Sequence, residues 1–245
     1  MNKIFFFSPL IIQNIIWLTA RLPFWLFCRL KVVGLDNFKN LPKGVVFVSN
    51  HSSELDPVLV PISFSFLSKF LPMFYTSRGK SFYKRSGWRQ IFYGGLFFKV
   101  LGAHSVNSGS QDYNISLSSH IYILERQHSL LIFPEGRITT DGSIKFENAH
   151  GGTAFLVERT GLPAVPVLIQ GVFKMSLKDF FFRRRHITVS FGKPVYAGEL
   201  FENLSPDDTR YRIASRRLLE RVSGLQQVEE DVNKFVAVNP NLGKV

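Results

Sequence analysis

The apolar residues of this chain are concentrated in runs, and the longest run lies at the N-terminus. Residues 4–20 form a nearly unbroken apolar run that Gln13 and Asn14 interrupt, and a second run, residues 22–30, contains Pro23. A membrane-spanning helix needs about 20 apolar residues, so the first run is at the lower limit for one. We expect two short helices that meet near Pro23 and dip into one leaflet of a membrane. The alternatives are a single spanning helix, a cleaved signal peptide and a buried core helix.

After a turn-rich stretch, residues 31–44, short apolar runs alternate with stretches of helical periodicity. The runs typical of strands are residues 45–49, 72–77, 129–133, 164–170 and 186–195. The helical patterns cover residues 57–70, 86–101, 111–127, 150–160 and 207–238. Strands separated by helices predict an α/β fold, with a mixed or mainly parallel sheet flanked by helices. We predict two units, a membrane-associating helical segment at residues 1–32 and an α/β domain at residues 33–245.

The charge of the chain favours an anionic partner, either nucleic acid or an acidic membrane surface. The formal net charge is +12, and many of the 25 phenylalanines lie in apolar blocks such as residues 62–74 and 91–101. Nucleic-acid binders more often place lysine and arginine among polar residues, and the sequence has no zinc-ligand spacing and no nucleotide-binding glycine loop. We therefore predict an anionic membrane surface as a partner and no nucleic acid.

The densest basic cluster, residues 178–186, has the sequence KDFFFRRRH and lies between two predicted strands. A solvated turn and a contact with lipid headgroups both fit this composition. The sequence leaves these two alternatives open.

The sequence offers few nucleophiles for covalent catalysis. Cys28 is the only cysteine and lies in the apolar N-terminal segment, which excludes an internal disulfide and disfavours a catalytic thiolate. No G-x-S-x-G motif follows a predicted strand. A reaction at this chain would have to use a nucleophile of the substrate itself.

A histidine stands where the strand at residues 45–49 ends, in the stretch VSNHSSELDP. His51 lies just past the strand, and Asp56 with Pro57 opens the next predicted helix. Aspartate is a favoured N-cap and proline fits the first helical turn, so Asp56 is expected to cap the helix. A carboxylate has several lone pairs and can also accept a proton from an imidazole. Asp56 would then hold the tautomer of His51 whose other nitrogen is free to act as a base.

A second polar group, PEGR, follows the strand predicted at residues 129–133. Gly136 allows close approach of the backbone, and Arg137 presents a planar fork that suits a phosphate. Alone, the four residues would indicate a turn with a surface arginine. Next to a strand-end H-x4-D pattern they indicate a binding site.

Together, NHSSELDP, FPEGRIT and VPVLIQG resemble the motifs of the glycerolipid acyltransferase family, which acylates 1-acylglycerol-3-phosphate and lysophospholipids. The order and spacing match across residues 45–195. The resemblance implies that His51 is the general base on the acceptor hydroxyl and that Asp56 orients it. It also implies binding residues for the glycerol-phosphate region, namely Glu135, Gly136 and Arg137, and residues that line the site near the acyl chain, namely Val165, Pro166 and Val167.

The resemblance further implies the reaction, its substrates and its location. A fatty acyl group would pass from acyl-CoA or acyl-carrier protein to the free hydroxyl of a lysophospholipid such as 1-acylglycerol-3-phosphate. The family needs no metal and no cofactor apart from the acyl donor as co-substrate. The protein would be membrane-associated, with its active site on the cytoplasmic side of the membrane.

One departure from the family pattern bears on the acceptor. The family usually has an arginine six residues after a glycine between the two main motifs, whereas here Ser108 follows Gly102 at that distance. Together with the order EGRIT, this favours a phosphodiester acceptor such as lysophosphatidylethanolamine as an alternative. Basic residues that would compensate for the missing arginine are Arg78, Lys80, Lys84 and Arg85. The two other classes that we weigh are a non-catalytic membrane-binding protein and a metal-dependent hydrolase that uses His51, Asp56, His104, His120 and His150.

Overall fold

The computed structural model of the chain describes residues 4–77, 99–107, 112–207 and 209–238. Most of the helix predicted at residues 86–101 lies outside the described residues. The same is true of Ser108 and of the four basic residues that would compensate for it.

Seven strands among the described residues form one sheet that is mostly parallel. They are β1 Lys31–Val33, β2 Val46–Ser49, β3 Met73–Ser77, β4 Ala103–Ser105, β5 Ser129–Ile132, β6 Ala164–Gln170 and β7 Thr188–Phe191. Their order is β1-β7-β6-β2-β5-β3-β4, and every neighbouring pair is parallel except β6 and β7. The predicted α/β fold with a mixed, mainly parallel sheet is therefore confirmed.

Helices cover both faces of the sheet. They are α1 Ile4–Cys28, α2 Asp56–Ser63, α3 Tyr113–Ser116, α4 Ser118–Glu125, α5 Gly152–Thr160, α6 Leu177–Phe181, α7 Ala197–Phe201 and α8 Arg210–Val238, with short 3-10 turns at Leu35–Phe38 and Phe146–Asn148. One face packs against α1 and α2 through an aromatic-rich core. The other face packs against α4, α5 and α8. The central strands β2, β5 and β6 are buried on both sides, which explains why their sequences are continuous apolar runs.

The N-terminal segment is one helix, α1, and not the two short helices that we predicted to meet near Pro23. Pro23 removes one backbone hydrogen bond, a change that costs about 3 kcal/mol in an isolated helix. The residues after it are nevertheless held, since Phe24 and Cys28 lie in the core that faces α2. By length and composition, residues Phe7–Cys28 meet the requirement for a membrane-spanning helix.

One side of α1 is fixed to the rest of the molecule by polar side chains. The Gln13 amide donates to the carbonyl oxygen of Met73 at 2.5 Å and accepts from the N–H of the same residue at 2.8 Å. The Trp17 indole donates to the carbonyl oxygen of Phe64 at 2.8 Å, and the Arg21 guanidinium donates to that of Ile62. The polar groups of α1 therefore attach the helix to the α/β domain.

Other element boundaries also differ from the sequence expectation. α2 ends at Ser63, because Phe64 is extended and the aromatic residues beyond it turn back into the core. The helix predicted at residues 111–127 is divided at Leu117 into α3 and α4. Strand β1 was not predicted, and it crosses residue 32, where we placed the boundary between the two units. The division into two units stays a prediction.

Candidate active site

The two polar motifs lie at the same edge of the sheet. β2 and β5 are adjacent and parallel, with Val48 opposite Ile132, so the chain leaves both strands in the same direction. The residues after each strand, 50–56 and 133–139, therefore meet at the carboxyl edge of the central strands. Ligand sites of open α/β sheets are commonly found at such edges.

Asn50 fixes the path of the chain as it leaves β2. Its buried side-chain amide donates to the carbonyl oxygen of Ile169 at 3.0 Å and accepts from the N–H of Ile169 at 2.9 Å. These two bonds tie the end of β2 to the neighbouring strand β6 by imitating a strand pair. Asn50 had no predicted role, although an asparagine in the first position after a buried strand is a visible signal.

His51 and Asp56 meet as predicted from their spacing. The Nδ1 atom of His51 lies 2.9 Å from Oδ2 of Asp56, a carboxylate that is fully buried. Because the acceptor is a carboxylate, Nδ1 carries the proton in neutral His51, and Nε2 has the free lone pair. In the part of the chain that the structure describes, Nε2 has no hydrogen-bond partner. The side chain is 17% exposed, so a substrate can reach it.

Asp56 does not cap α2, in contrast to our expectation. The helix begins at Asp56 itself, and the preceding Leu55 is the N-cap residue, without a side-chain bond. Oδ2 of Asp56 instead accepts from the N–H groups of Ser52 and Ser53 at 2.7 and 2.9 Å. The carboxylate thus closes the loop around His51, which makes its position independent of helix capping.

The backbone of His51 is held by the segment that follows β5. Its N–H donates to Oε2 of Glu135 at 3.2 Å, and its carbonyl oxygen accepts from the N–H of Thr139 at 2.8 Å. The second oxygen of Glu135 accepts from the N–H of Lys145 at 2.8 Å. Both carboxylate oxygens of Glu135 are therefore bonded to backbone, and its predicted role in acceptor binding stays a prediction.

Glu135 is a buried carboxylate, and its surroundings act on its ionisation in two directions. Burial raises the pKa of the carboxyl above its ordinary value, while the N–H groups of Lys145 and His51 favour the charged form and lower that pKa. The two bonds to backbone fit an ionised carboxylate, which accepts at both oxygens.

The imidazole of His51 lies flat against Phe133, the first residue after β5. Their ring centroids are 4.0 Å apart and the planes differ by 13°. Together with the bond to Asp56, this stacking fixes the ring in its plane. Phe133 belongs to the core on the α1 side of the sheet, so His51 faces the same side of the sheet as α1. Phe133 had no predicted role.

Arg137 lies beside this group, at a surface cleft of about 370 Å³, and Gly136 precedes it in the turn. Gly136 has a φ of +64°, and a Cβ there would lie 3.0 Å from the His150 ring, so the turn favours glycine. Arg137 is exposed. The residues that line the cleft are Glu135, Arg137, Glu147, Asn148, Ala149, His150 and Arg212. Arg212 comes from α8 and was not predicted, because no local pattern links α8 to the motif.

Pro166 is not part of this group. It is buried within β6 and alternates with Val165 and Val167, which belong to the core on the α1 side. Pro166 therefore points to the face of the sheet that is opposite to Phe133 and His51. Val165 and Val167 point to the same face as Phe133 and His51. Its predicted place near the acyl chain stays a prediction.

The histidines that we weighed as metal ligands do not gather. Among the described residues, no three side chains of histidine, cysteine, aspartate or glutamate lie close enough to hold a metal ion. His104 and His120 are neighbours at the edge of the sheet, with ring centroids 6.4 Å apart.

Comparison with known proteins identifies the family of the chain. Residues 29–170, which include both motifs, match the model of the Acyltransferase family. The chain belongs to the acyltransferase family. This confirms the resemblance on which the sequence analysis relied.

Two relatives show how this acyltransferase-family chain compares with known members. It is 24% identical over 200 residues to the chloroplastic 1-acyl-sn-glycerol-3-phosphate acyltransferase BAT2 of Brassica napus, a match that covers 80% of this chain and 53% of that protein. The chain thus spans about half the length of that relative. The crystal structure of the 1-acyl-sn-glycerophosphate acyltransferase PlsC of Thermotoga maritima has the same fold, with a TM-score of 0.57, 17% identity, and coverage of 90% of this chain and 79% of that one.

Proposed function

We propose that the protein is an O-acyltransferase that moves a fatty acyl group from a thioester donor to the free hydroxyl of a lysophospholipid. The observation that carries the proposal is the pair His51–Asp56, joined at 2.9 Å with Nε2 of the imidazole left available. Its position in a chain of the acyltransferase family supports the same conclusion. The donor is acyl-CoA or acyl-carrier protein, and no cofactor or metal enters the reaction.

In the proposed mechanism the chain supplies a general base and no nucleophile. Nε2 of His51 takes the proton of the acceptor hydroxyl as its oxygen attacks the thioester carbonyl. The tetrahedral intermediate collapses by breaking the C–S bond, and the thiolate leaves with the proton that His51 holds. Asp56 keeps the ring in the required tautomer and stabilises the imidazolium, as in other carboxylate-histidine pairs. General-base help of this kind contributes about 10²–10⁴ in rate.

The cleft beside Glu135 supports a phosphate-bearing acceptor, for which we propose 1-acylglycerol-3-phosphate. Arg137 and Arg212 line it, and guanidinium groups bind phosphate oxygens in a fork geometry. Glu147 lines the same cleft. A second carboxylate near two arginines would suit an ammonium group, so a phosphodiester acceptor such as lysophosphatidylethanolamine is the second candidate.

Membrane association is part of the proposal, because the acceptor is a lipid. One side of α1 is bonded to the sheet region, and the other exposes large apolar residues, among them Phe7, Ile11, Leu18, Leu22 and Trp25. A helix attached along one side and apolar on the other suits a position in one leaflet better than a full crossing. The thioester donors are cytoplasmic, so we propose that the active site faces the cytoplasm.

An acceptor panel tests the proposal. Detergent-solubilised protein is incubated with labelled acyl-CoA or acyl-carrier protein and with lysophosphatidate, lysophosphatidylethanolamine or lysophosphatidylglycerol. We expect acylated product with lysophosphatidate. Faster turnover of lysophosphatidylethanolamine would favour the second candidate, and no product with any pair of substrates would contradict an acyltransferase in favour of a non-catalytic membrane protein.

A further inference from the structure

The loop between β6 and β7 carries a second exposed apolar surface, at residues 177–186. Its short helix α6 and the turn after it expose Leu177, Phe181 and Phe182 to 78%, 61% and 69%. Such exposure of neighbouring phenylalanines is unusual for a surface that faces only water. We refer to residues 177–186 as the basic-aromatic loop.

The basic-aromatic loop is anchored to α1. The ring of Phe180 packs against Phe24 and Phe27 of α1, with centroids 5.4 and 5.3 Å apart, and Phe181 contacts Phe27 at 5.8 Å. The Arg29 guanidinium at the end of α1 lies 3.2 Å from Nε2 of His186. The loop thus lies on the same side of the sheet as α1, next to the C-terminal part of α1, in which Leu22 and Trp25 are also exposed.

The local structure of the loop holds these side chains in place. Ser176 and Asp179 form a reciprocal capping box at the start of α6. The Asp179 carboxylate accepts from the Ser176 N–H and hydroxyl at 3.0 and 2.8 Å. These bonds lower the pKa of the Asp179 carboxyl, which remains ionised. The loop thus presents Phe181 and Phe182 from a defined turn.

Positive charge surrounds the exposed rings. Five basic residues, Lys178, Arg183, Arg184, Arg185 and His186, lie in the loop with Asp179 as its one acidic residue. Asp179 lies 3.8 Å from the guanidinium of Arg185, whose charge it partly offsets. Lys178, Arg183 and Arg184 are exposed. The guanidinium of Arg184 lies over the ring of Phe182, 5.5 Å from its centroid, so charge and apolar surface are directly adjacent.

We propose that the basic-aromatic loop is a second membrane contact, which inserts Phe181 and Phe182 at the headgroup boundary of an anionic bilayer while its arginines bind the headgroups. The inference rests on the proposed membrane association through α1 and adds a specific lipid charge to it. A second copy of the chain is a poorer occupant, because a two-fold interface would bring the two basic clusters together. With two membrane contacts on the α1 side of the sheet, the molecule could not rotate about the axis of α1. The side of the sheet that His51 faces would then stay turned towards the membrane.

Vesicle binding of the full-length purified protein tests the loop. Vesicles of phosphatidylcholine, with or without phosphatidylglycerol, are titrated with the wild type and the double variant Phe181→Ser/Phe182→Ser. We expect the variant to bind the anionic vesicles about tenfold more weakly, since two partly inserted rings are lost. The matched control is Ile213→Ser, an exposed apolar residue of α8 on the other side of the sheet, which should bind as the wild type does.

A charge variant separates the two parts of the contact. Arg183→Gln/Arg184→Gln should weaken binding to phosphatidylglycerol vesicles by about 30-fold, from roughly 1 kcal/mol for each arginine near an anionic surface. Binding to pure phosphatidylcholine should change little. Acyl transfer to an acceptor dispersed in detergent should be unaffected in both double variants, which shows that they fold.

The outcomes distinguish this inference from the proposed function. If both double variants bind anionic vesicles like the wild type while Leu22→Ser/Trp25→Ser does not, the loop has no membrane role and the α1 proposal stands. If the wild type binds no vesicles, membrane association itself fails. If Phe181→Ser/Phe182→Ser abolishes self-association in sedimentation and leaves vesicle binding intact, the loop is an interface between copies and our inference is wrong.

Discussion

Two histidine environments in this molecule have opposite chemical properties. His51 is partly exposed and bonded through Nδ1 to a buried carboxylate. His120 on α4 is fully buried, its Nε2 lies 3.2 Å from the carbonyl oxygen of His104, and its Nδ1 has no hydrogen-bond partner in the described part of the chain. Burial lowers the pKa of His120 to about 4. The comparison teaches that a buried carboxylate and one accessible nitrogen, rather than burial or position near a strand, make a histidine a candidate base.

The largest expected effect is the loss of the candidate base. His51→Ala should lower kcat/KM by about 10²–10⁴-fold, because no other described group is placed to take the acceptor's proton. Steady-state acylation of lysophosphatidate measures the change. His120→Leu is the matched control and should retain activity. Full activity of His51→Ala would remove the distinction between the two histidines.

A smaller effect concerns the pH dependence of protein stability, to which the buried neutral His120 contributes. The folded pKa of His120 lies near 4 and the unfolded value near 6.5, so the unfolded state binds the proton first as the pH falls. The contribution of His120 to the free energy of unfolding is therefore fully present above pH 6.5 and falls by about 3 kcal/mol as the pH decreases to 4. Denaturant unfolding of the solubilised protein at several pH values checks the slope. His120→Leu should reduce it, and an unchanged slope would show that His120 is not the group responsible.

The smallest expected effect concerns Glu135, whose carboxylate holds the backbone of His51. In Glu135→Gln an amide NH₂ faces a backbone N–H donor, so we expect a lower melting temperature and a kcat reduced about tenfold, with KM for the acceptor little changed. Glu147 is an exposed carboxylate of the same cleft, and the control is Glu147→Gln. This variant should leave the melting temperature and kcat unchanged. A raised KM with unchanged kcat and stability would favour the acceptor-binding role that the family resemblance implies.

The sequence predicted the parts of the fold in which local pattern and tertiary environment agree. The strands β2, β5 and β6 are buried on both faces, so their uniform apolar character marks them clearly. The interpretation failed where distant contacts override local preference. α1 continues through Pro23 because Phe24 packs into the core, and β1 is only three residues long and depends on its pairing with β7.

The candidate site was predictable to the extent that it is local. His51 and Asp56 are five residues apart, so spacing alone indicated that they could meet. The support around them comes from remote residues. Phe133, which follows the neighbouring strand β5, stacks on the imidazole of His51. Asn50 is bonded to Ile169, and Arg212 reaches the cleft from α8. Only Asn50 has a local signal, its position directly after a buried strand, and the partner of each of these residues depends on strand order and helix packing.

The hydrogen bonds of the His51 backbone and of the Asn50 side chain also bear on when the site forms during folding. Glu135 lies 84 positions after His51, and Ile169 lies 119 positions after Asn50. Contacts of such long range form slowly, because the chain must first close large loops. A growing chain that lacks β6 would thus carry the H-x4-D residues without their organised geometry. Enzymatic activity would then be a sensitive late marker of folding, which appears only when the three central strands have assembled.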